Sequence, residues 1–239
     1  VVSTGHCHPK IVKAIKKQAA TLIHGSMGMT YCEPPIKLSE KIIEILDCNL
    51  NSVFLTQSGS ETIECAIKLA KYASKKQNVL AFKGAFHGRT LGALSLTTSK
   101  EKYRDGYEPL LPGVDFFPFP NCYRCPWKLD KKECKTQCAK ELETYFEKLD
   151  NNFAAVIIEP FLGEGGYLPA PKLFLETLRE LCTKNDIYLI FDEIQSGMGR
   201  TGKWFAFQQY NVEPDIIAIS KGIASGMPLG ACVAKKEIM

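Results

Sequence analysis

Chemically active side chains recur directly after the apolar segments of this sequence. Asp192 and Glu193 follow the apolar run 187–191, and Lys221 follows the run 215–220. Burying a carboxylate without a partner costs several kcal/mol, so we expect a positively charged partner beside Asp192. A lysine beside low-dielectric walls can lose its proton and bond covalently to an aldehyde. The alternative for Lys221 is an ordinary surface lysine.

A second candidate lies at 57–61, which reads Gln-Ser-Gly-Ser-Glu between a predicted strand and a predicted helix. Ser58 and Glu61 match the Ser-x-x-Glu capping box. Gly59 lets a ligand approach the backbone, and the free N–H groups of a helix start favour a phosphate at Ser58–Ser60. The same spacing is typical of a plain helix cap, so this motif alone leaves both interpretations open.

One kind of ligand would use all three features. An aldehyde with a phosphate and a basic ring nitrogen would place its phosphate on Ser58–Ser60, its aldehyde on Lys221 and its protonated nitrogen opposite Asp192. At a separation of about 4 Å and an effective dielectric constant of about 20, that attraction is about 4 kcal/mol before desolvation. A charged pyridine ring acts as an electron sink. These properties are those of pyridoxal phosphate (PLP).

The glycines at 197, 199 and 202 also spell G-x-G-x-x-G after a strand, a pattern typical of dinucleotide binding. Such a site needs an acidic residue at the end of the next strand, to hold the ribose. That strand ends instead in Ser220 and Lys221. We therefore interpret the glycines as a turn.

The elements that must position these residues alternate along the chain. Helices are predicted over 9–24, 37–46, 61–76, 139–149 and 171–183, and strands over 52–57, 78–82, 114–120, 154–160, 187–193, 215–220 and 229–234. This alternation predicts an α/β fold with a mostly parallel sheet covered by helices on both faces. The prolines in 114–120 place that strand at an edge. Ligands bind at the carboxyl ends of parallel strands, where the polar residues of this chain are expected to converge.

The bulk composition excludes several classes of protein. The chain has 239 residues, of which 45% are hydrophobic and 23% charged, as in ordinary globular proteins. The net charge of +4 is scattered, which gives no argument for nucleic acid, and no apolar run approaches the roughly 20 residues of a membrane span. We expect a cytoplasmic protein. Because the sequence starts with Val1 rather than Met, we also expect a piece of a longer chain.

Four stretches in this order resemble the class III aminotransferases, which are PLP enzymes of fold type I. They read QSGSETIECAIKLAK, AFHGRTLGALSLT, IIEPFLGEGGY and LIFDEIQSGMGRTGKWFAFQQYNVEPDIIAISKGIASGMPLGA. They run in family order between 57 and 231. The intact GEGG at 163–166 is most similar to the 4-aminobutyrate aminotransferase branch.

The resemblance implies a role for each cofactor-binding residue. Lys221 would carry the cofactor and shuttle the proton during the reaction, and Asp192 would pair with the pyridine nitrogen. Gln195 would contact the ring hydroxyl, while Gly59 and Ser60 would hold the phosphate.

Five further residues receive roles from the same resemblance. Phe86 would stack on the cofactor ring, His87 would support it, and Glu159 would orient the pocket. Arg89 would grip the substrate carboxylate, and Glu164 would be the switch residue that pairs with an arginine when no α-carboxylate is bound. For Arg89, a structural ion pair with Glu159 or Glu164 is the alternative.

The resemblance also implies an organisation and a reaction. Residues 1–50 would form a helical segment with a dimer-contact loop at 24–35, and residues 51–239 would form an incomplete PLP-binding large domain without the C-terminal small domain.

The reaction would move an amino group from an ω-amino acid resembling 4-aminobutyrate to a 2-oxo acid such as 2-oxoglutarate. A PLP-dependent racemase or aminomutase is the first alternative, and an inactive, truncated cofactor-binding piece is the second. We expect a homodimer that binds small molecules, not nucleic acid or membranes.

The ten cysteines fall into two groups. Cys122, Cys125, Cys134 and Cys138 cluster in a predicted insertion at 121–138, where they could bind zinc or an iron–sulfur cluster, form disulfides or remain free. A structural staple is favoured over catalysis. The six others are scattered and predicted to be small core residues: Cys7, Cys32, Cys48, Cys65, Cys182 and Cys232. The motif GHCHP at 5–9 is interpreted as a turn, not as a metal site.

Overall fold

A seven-stranded sheet forms the centre of the computed structural model, which describes residues 2–130, 132 and 134–239. The strands are β1 Ser52–Thr56, β2 Asn78–Lys83, β3 Val114–Pro118, β4 Phe153–Ile158, β5 Phe161–Leu162, β6 Leu168–Pro169, β7 Tyr188–Asp192, β8 Ile216–Ile219 and β9 Gly230–Ala234. The sheet order is β1-β9-β8-β7-β4-β2-β3, while β5 and β6 form a separate hairpin. All neighbouring strands are parallel except at β9, which is antiparallel to β1 and β8. The predicted α/β fold with a mostly parallel sheet is confirmed.

Helices cover both faces of this sheet. The α-helices of the chain are α1 Pro9–Thr21, α2 Glu33–Leu46, α3 Gly59–Ser74, α4 Leu91–Leu96, α5 Gln137–Phe146, α6 Lys172–Lys184 and α7 Phe207–Tyr210. Residues of α3 and α4, such as Ile63 and Leu96, pack in one apolar core. Residues of α5 and α6, such as Leu142 and Phe174, pack in the other. In the described part of the chain, no helix is long and apolar enough to cross a membrane.

Helix boundaries differ from prediction where caps override the apolar periodicity. Helix α1 ends at Thr21, three residues early, because Leu22 is extended with a φ of −162°. Helix α2 starts four residues early at Glu33, since a helix tolerates prolines in its first turn. Helices α4 and α7 and the hairpin were not predicted, because elements of two to six residues are too short to show a period.

The prediction that all six scattered cysteines lie in the core is only partly right. Cys182 and Cys232 are buried, but Cys7 is exposed and the other three are half-buried. Cys7 lies before α1, in which none of the described residues is buried. Helix α2 instead buries Ile42 and Leu46. The dimer-contact role of 24–35 and the division at residue 50 stay predictions.

The G-x-G-x-x-G stretch forms a turn, as predicted. Gly199 and Gly202 have positive φ values of 86° and 97°, which glycine adopts without strain. The next helix, α7, starts only at Phe207 and has four residues. The stretch therefore lacks the long helix that opens a dinucleotide site.

The cysteine-rich insertion connects the edge strand β3 to α5. Burial raises the pKa of Cys138 to about 11, and the charges of Cys134 and Cys122 act in the same direction.

Candidate active site

One cavity of about 190 Å³ lies at the carboxyl ends of the parallel strands. All of the predicted site residues line it: Ser58, Gly59, Ser60, Phe86, His87, Arg89, Glu159, Glu164, Asp192, Gln195 and Lys221. Gly88, Ile194 and Ser220 complete the wall. The sheet topology explains this convergence, because β1, β4, β7 and β8 point in one direction and end at the same edge.

Asp192, the last residue of β7, has a buried partner on a neighbouring segment. Its Oδ2 lies 2.8 Å from Nδ1 of His87, and its Oδ1 accepts a hydrogen bond from the N–H of Ile194 at 3.0 Å. Both side chains are almost fully buried. The other ring nitrogen of His87, Nε2, is buried and has no hydrogen-bond partner among the described residues. Within the chain, the hydrogen-bond partner of Asp192 is therefore His87.

Glu193 has a different, structural role. Its carboxylate accepts hydrogen bonds from the Ser196 hydroxyl at 2.5 Å and from the N–H groups of Ala206 and Phe207 at 3.0 and 2.8 Å. Complete burial raises its pKa to about 7, against the opposing effect of these hydrogen bonds. Glu193 thus holds the loop after β7 in place while Asp192 faces the cavity.

Glu159 connects three parts of the cavity wall. It follows β4, and its Oε1 and Oε2 accept hydrogen bonds from the N–H groups of Phe86 and Gly163, each at 2.9 Å. Burial and the charge of Asp192 raise its pKa to about 7, against the charge of His87 and the two N–H groups. Glu159 therefore fixes the backbone that presents Phe86 and the turn that carries Glu164.

The N-terminus of α3 forms the second end of the cavity. Ser58 caps the helix by accepting a hydrogen bond from the Glu61 N–H at 3.2 Å. The Glu61 carboxylate accepts from the N–H of Gln57 at 2.6 Å, one residue before the position expected for a capping box. A Cβ on Gly59 would lie 3.2 Å from the Ile194 side chain, which would have to shift to accommodate it. The first turn of a helix leaves N–H groups free for an anion.

Lys221 lines a third side of the cavity and has a strained backbone conformation. It starts a short 3₁₀ helix, Lys221–Ala224, with a φ of 48°. Such a left-handed conformation is uncommon for a residue with a Cβ and is found preferentially at functional sites. Ser220, just before it, donates a hydrogen bond to the carbonyl of Leu229 at 2.7 Å. The strand end and this bond hold the lysine at the cavity.

The mouth of the cavity contains two residues that the sequence did not single out. Lys100 pairs with Glu164 at 2.9 Å, and this hydrogen bond is the main cause that lowers the pKa of Glu164. Tyr103 contacts Phe86 edge-on, with ring centroids 5.3 Å apart, and its ring centre lies 6.0 Å from the guanidinium of Arg89. Both residues come from the short 3₁₀ turn Glu101–Tyr103 and its N-cap, which have no recognisable motif, so only the tertiary structure reveals them.

The alternative ion pairs considered for Arg89 do not form in the described structure. Glu159 accepts from backbone N–H groups, and Glu164 pairs with Lys100. The Arg89 side chain is exposed at the mouth, and its N–H donates to the Ser60 hydroxyl at 3.1 Å. Its guanidinium is therefore available to a carboxylate ligand.

Comparison with known proteins agrees with this architecture. The family model for class-III aminotransferases matches residues 1–239, and the chain belongs to this family. An acetylornithine aminotransferase of Methanocaldococcus jannaschii is 44% identical over the whole chain, which covers 55% of that protein. An alanine/serine racemase of Pyrococcus horikoshii is 38% identical over 99% of the chain and 52% of that protein.

A solved structure provides the same match in three dimensions. An amine transaminase from an uncultivated Pseudomonas species, in its PLP-bound form, superposes with a TM-score of 0.90. The sequences are 29% identical, and the match covers 98% of this chain and 55% of the other. The chain thus spans about half the length of the relatives it matches.

Proposed function

We propose that the protein containing this chain is a PLP-dependent aminotransferase. The main support for this proposal is one cavity that is lined by the buried Asp192–His87 pair, the start of α3 and Lys221. A helix N-terminus suits a phosphate, and a buried carboxylate suits a protonated ring nitrogen. Phe86 also lines the cavity, and its aromatic ring can stack on the ring of a ligand. The residues present therefore fit PLP.

Each residue would contribute a distinct step. Asp192 would hold the ring nitrogen in its protonated form, and His87 would hold the carboxylate in place through the 2.8 Å contact. Lys221 would bind the cofactor covalently, then accept a proton from the substrate carbon and return it to another carbon. PLP, when bound, supplies an electron sink for this proton transfer. Glu159 would keep Phe86 in position.

The proposed amino donor carries a terminal amine and a carboxylate. Arg89 presents a planar, exposed guanidinium suited to a carboxylate, and both Arg89 and Lys100 lie near the ring of Tyr103. The named acetylornithine aminotransferase relative and the GEGG stretch support donors such as N-acetylornithine or 4-aminobutyrate. The acceptor would be a 2-oxo acid such as 2-oxoglutarate. We further propose a homodimer, with 24–35 at the subunit contact.

Racemisation is the second candidate function, supported by the alanine/serine racemase among the relatives. Proton removal and return by Lys221 at one carbon would invert an amino acid without transferring its amino group. The same lysine and aspartate would serve both reactions, so the outcome depends on the carbon to which Lys221 returns the proton.

A donor screen on the PLP-loaded protein separates the two functions. The donors are 4-aminobutyrate, N-acetylornithine and L-alanine, each with 2-oxoglutarate, and the measured products are glutamate and D-alanine. Glutamate formation from a terminal amine, lost in Asp192→Asn, is the expected result. Formation of D-alanine without glutamate would favour the racemase. If PLP is bound and neither glutamate nor D-alanine forms, both proposed functions are wrong.

A further inference from the structure

A second cavity, distinct from the proposed active site, is lined by all four clustered cysteines. It has a volume of about 210 Å³ and also includes Trp127, Leu129 and Pro171 in its wall. Cys122 and Cys125 follow the edge strand β3, Cys134 precedes α5, and Cys138 lies in the first turn of α5. Residues that are up to sixteen positions apart therefore line one space. All four thiols are free.

Local hydrogen bonds shape the Cys-x2-Cys turn. The Asn121 side chain accepts hydrogen bonds from the N–H groups of Tyr123 and Arg124 at 3.0 and 2.9 Å. The N–H of Lys128 donates to the carbonyl of Cys125 at 3.0 Å. These bonds fold the backbone around the pair, so that both Cys122 and Cys125 reach the cavity.

The insertion has little apolar packing to hold it. Within its described residues, no helix or strand occurs between β3 and α5. Its main aromatic contact joins Trp127 to Phe117 of β3, with ring centroids 5.9 Å apart. A short segment without its own core usually depends on a disulfide or a metal for order.

We propose that Cys122, Cys125, Cys134 and Cys138 form a tetrahedral structural site for Zn²⁺. Thiolates are the ligands that zinc prefers in structural sites, and a Cys-x2-Cys pair is a common half of such a site. Binding would replace the four thiol protons by one metal ion. A zinc–sulfur distance of about 2.3 Å would bring the sulfurs to about 3.8 Å from one another.

In the described structure, the four cysteine side chains are not arranged in this tetrahedral geometry. No three His, Cys, Asp or Glu side chains in the described structure are arranged to hold a metal ion as they stand. Contraction around the ion is feasible because only Cys138 lies in a regular element. The sequence 121–138 contains five basic and two acidic residues, and this excess offsets the double negative charge of a zinc tetrathiolate. The site shares no lining residue with the Asp192 cavity, so its role is structural.

The zinc content of the reduced protein is measured by elemental mass spectrometry. The visible spectrum is then recorded after Co²⁺ has replaced the zinc. About one ion per chain and the spectrum of a tetrahedral thiolate site are expected, with affinity at least about tenfold lower in Cys125→Ser. The exposed Cys7→Ser is the matched control and should retain the metal.

Three results would overturn the proposal. They are four reactive thiols without metal, an intact mass lower by two hydrogens per disulfide, or an iron–sulfur spectrum in place of zinc. The PLP absorbance is measured on the same samples. If PLP binds and zinc does not, the zinc proposal fails alone, and if zinc binds and PLP does not, the proposed function fails alone.

Discussion

Replacing Glu159 by glutamine should flatten the pH dependence of the protein's stability. Glu159 is 3% exposed, and burial beside the charge of Asp192 raises its pKa from 4.5 to about 7. The folded protein therefore retains this proton at pH values where the unfolded chain has lost it. Its stabilising contribution is complete below about pH 4.5 and is lost as the pH rises to about 7.

The shift sets the size of the effect. A difference of about 2.5 pKa units at about 1.4 kcal/mol per unit gives about 3 kcal/mol in total, of which about 2 kcal/mol falls between about pH 5.5 and pH 8. Glu193, whose pKa is also raised to about 7, contributes a similar loss. The wild type should lose about 4 kcal/mol across this window, and Glu159→Gln about 2 kcal/mol.

The assay is urea denaturation of the cofactor-free protein at both pH values. Glutamine cannot accept hydrogen bonds from both Phe86 and Gly163 with its two terminal atoms, so the variant is less stable at low pH, and the pH slope is the informative quantity. Glu143→Gln, at an exposed position, removes the same charge and should keep the wild-type slope. A wild-type stability that is constant or rises across the window, or an unchanged slope in Glu159→Gln, would show that Glu159 does not hold a proton in the folded protein at these pH values.

Two further changes test the framework around the cavity. Ser58→Ala removes the acceptor for the Glu61 N–H and should lower the free energy of unfolding by about 1 kcal/mol in urea denaturation, and an unchanged midpoint would argue against the cap. Gly230→Ala places a Cβ 2.5 Å from the Thr56 hydroxyl and 3.0 Å from the Ser58 carbonyl. It should cost about 1–3 kcal/mol by the same assay, and full retention of stability would contradict this close packing of β9 against the start of α3.

Much of the site could be predicted because it lies at strand ends. The strand before Asp192 is a continuous apolar run, and Lys221 follows another. Parallel strands bring such ends to one edge, so strand assignment alone places these two residues near each other. Their separation in sequence is no obstacle, because β7 and β8 are hydrogen-bonded neighbours.

The remaining features depend on tertiary contacts that leave no local pattern. The Asp192–His87 contact joins residues 105 positions apart and required the register of β2, β4 and β7. Lys100 and Tyr103 reach the mouth from a 3₁₀ turn of three residues, which is too short to show a period. The exposure of Cys7 was also missed, because a cysteine has the same apolar signature in a core and in a surface turn.

The most direct test of the central claim is borohydride trapping of PLP followed by peptide mapping. The visible absorption of the PLP-incubated protein is recorded before and after reduction, for the wild type and for Lys221→Ala. We expect a band that borohydride removes in the wild type, with the reduced cofactor retained on the peptide that contains Lys221. Equal retention in Lys221→Ala, or attachment to Lys100 or other lysines instead, would contradict it.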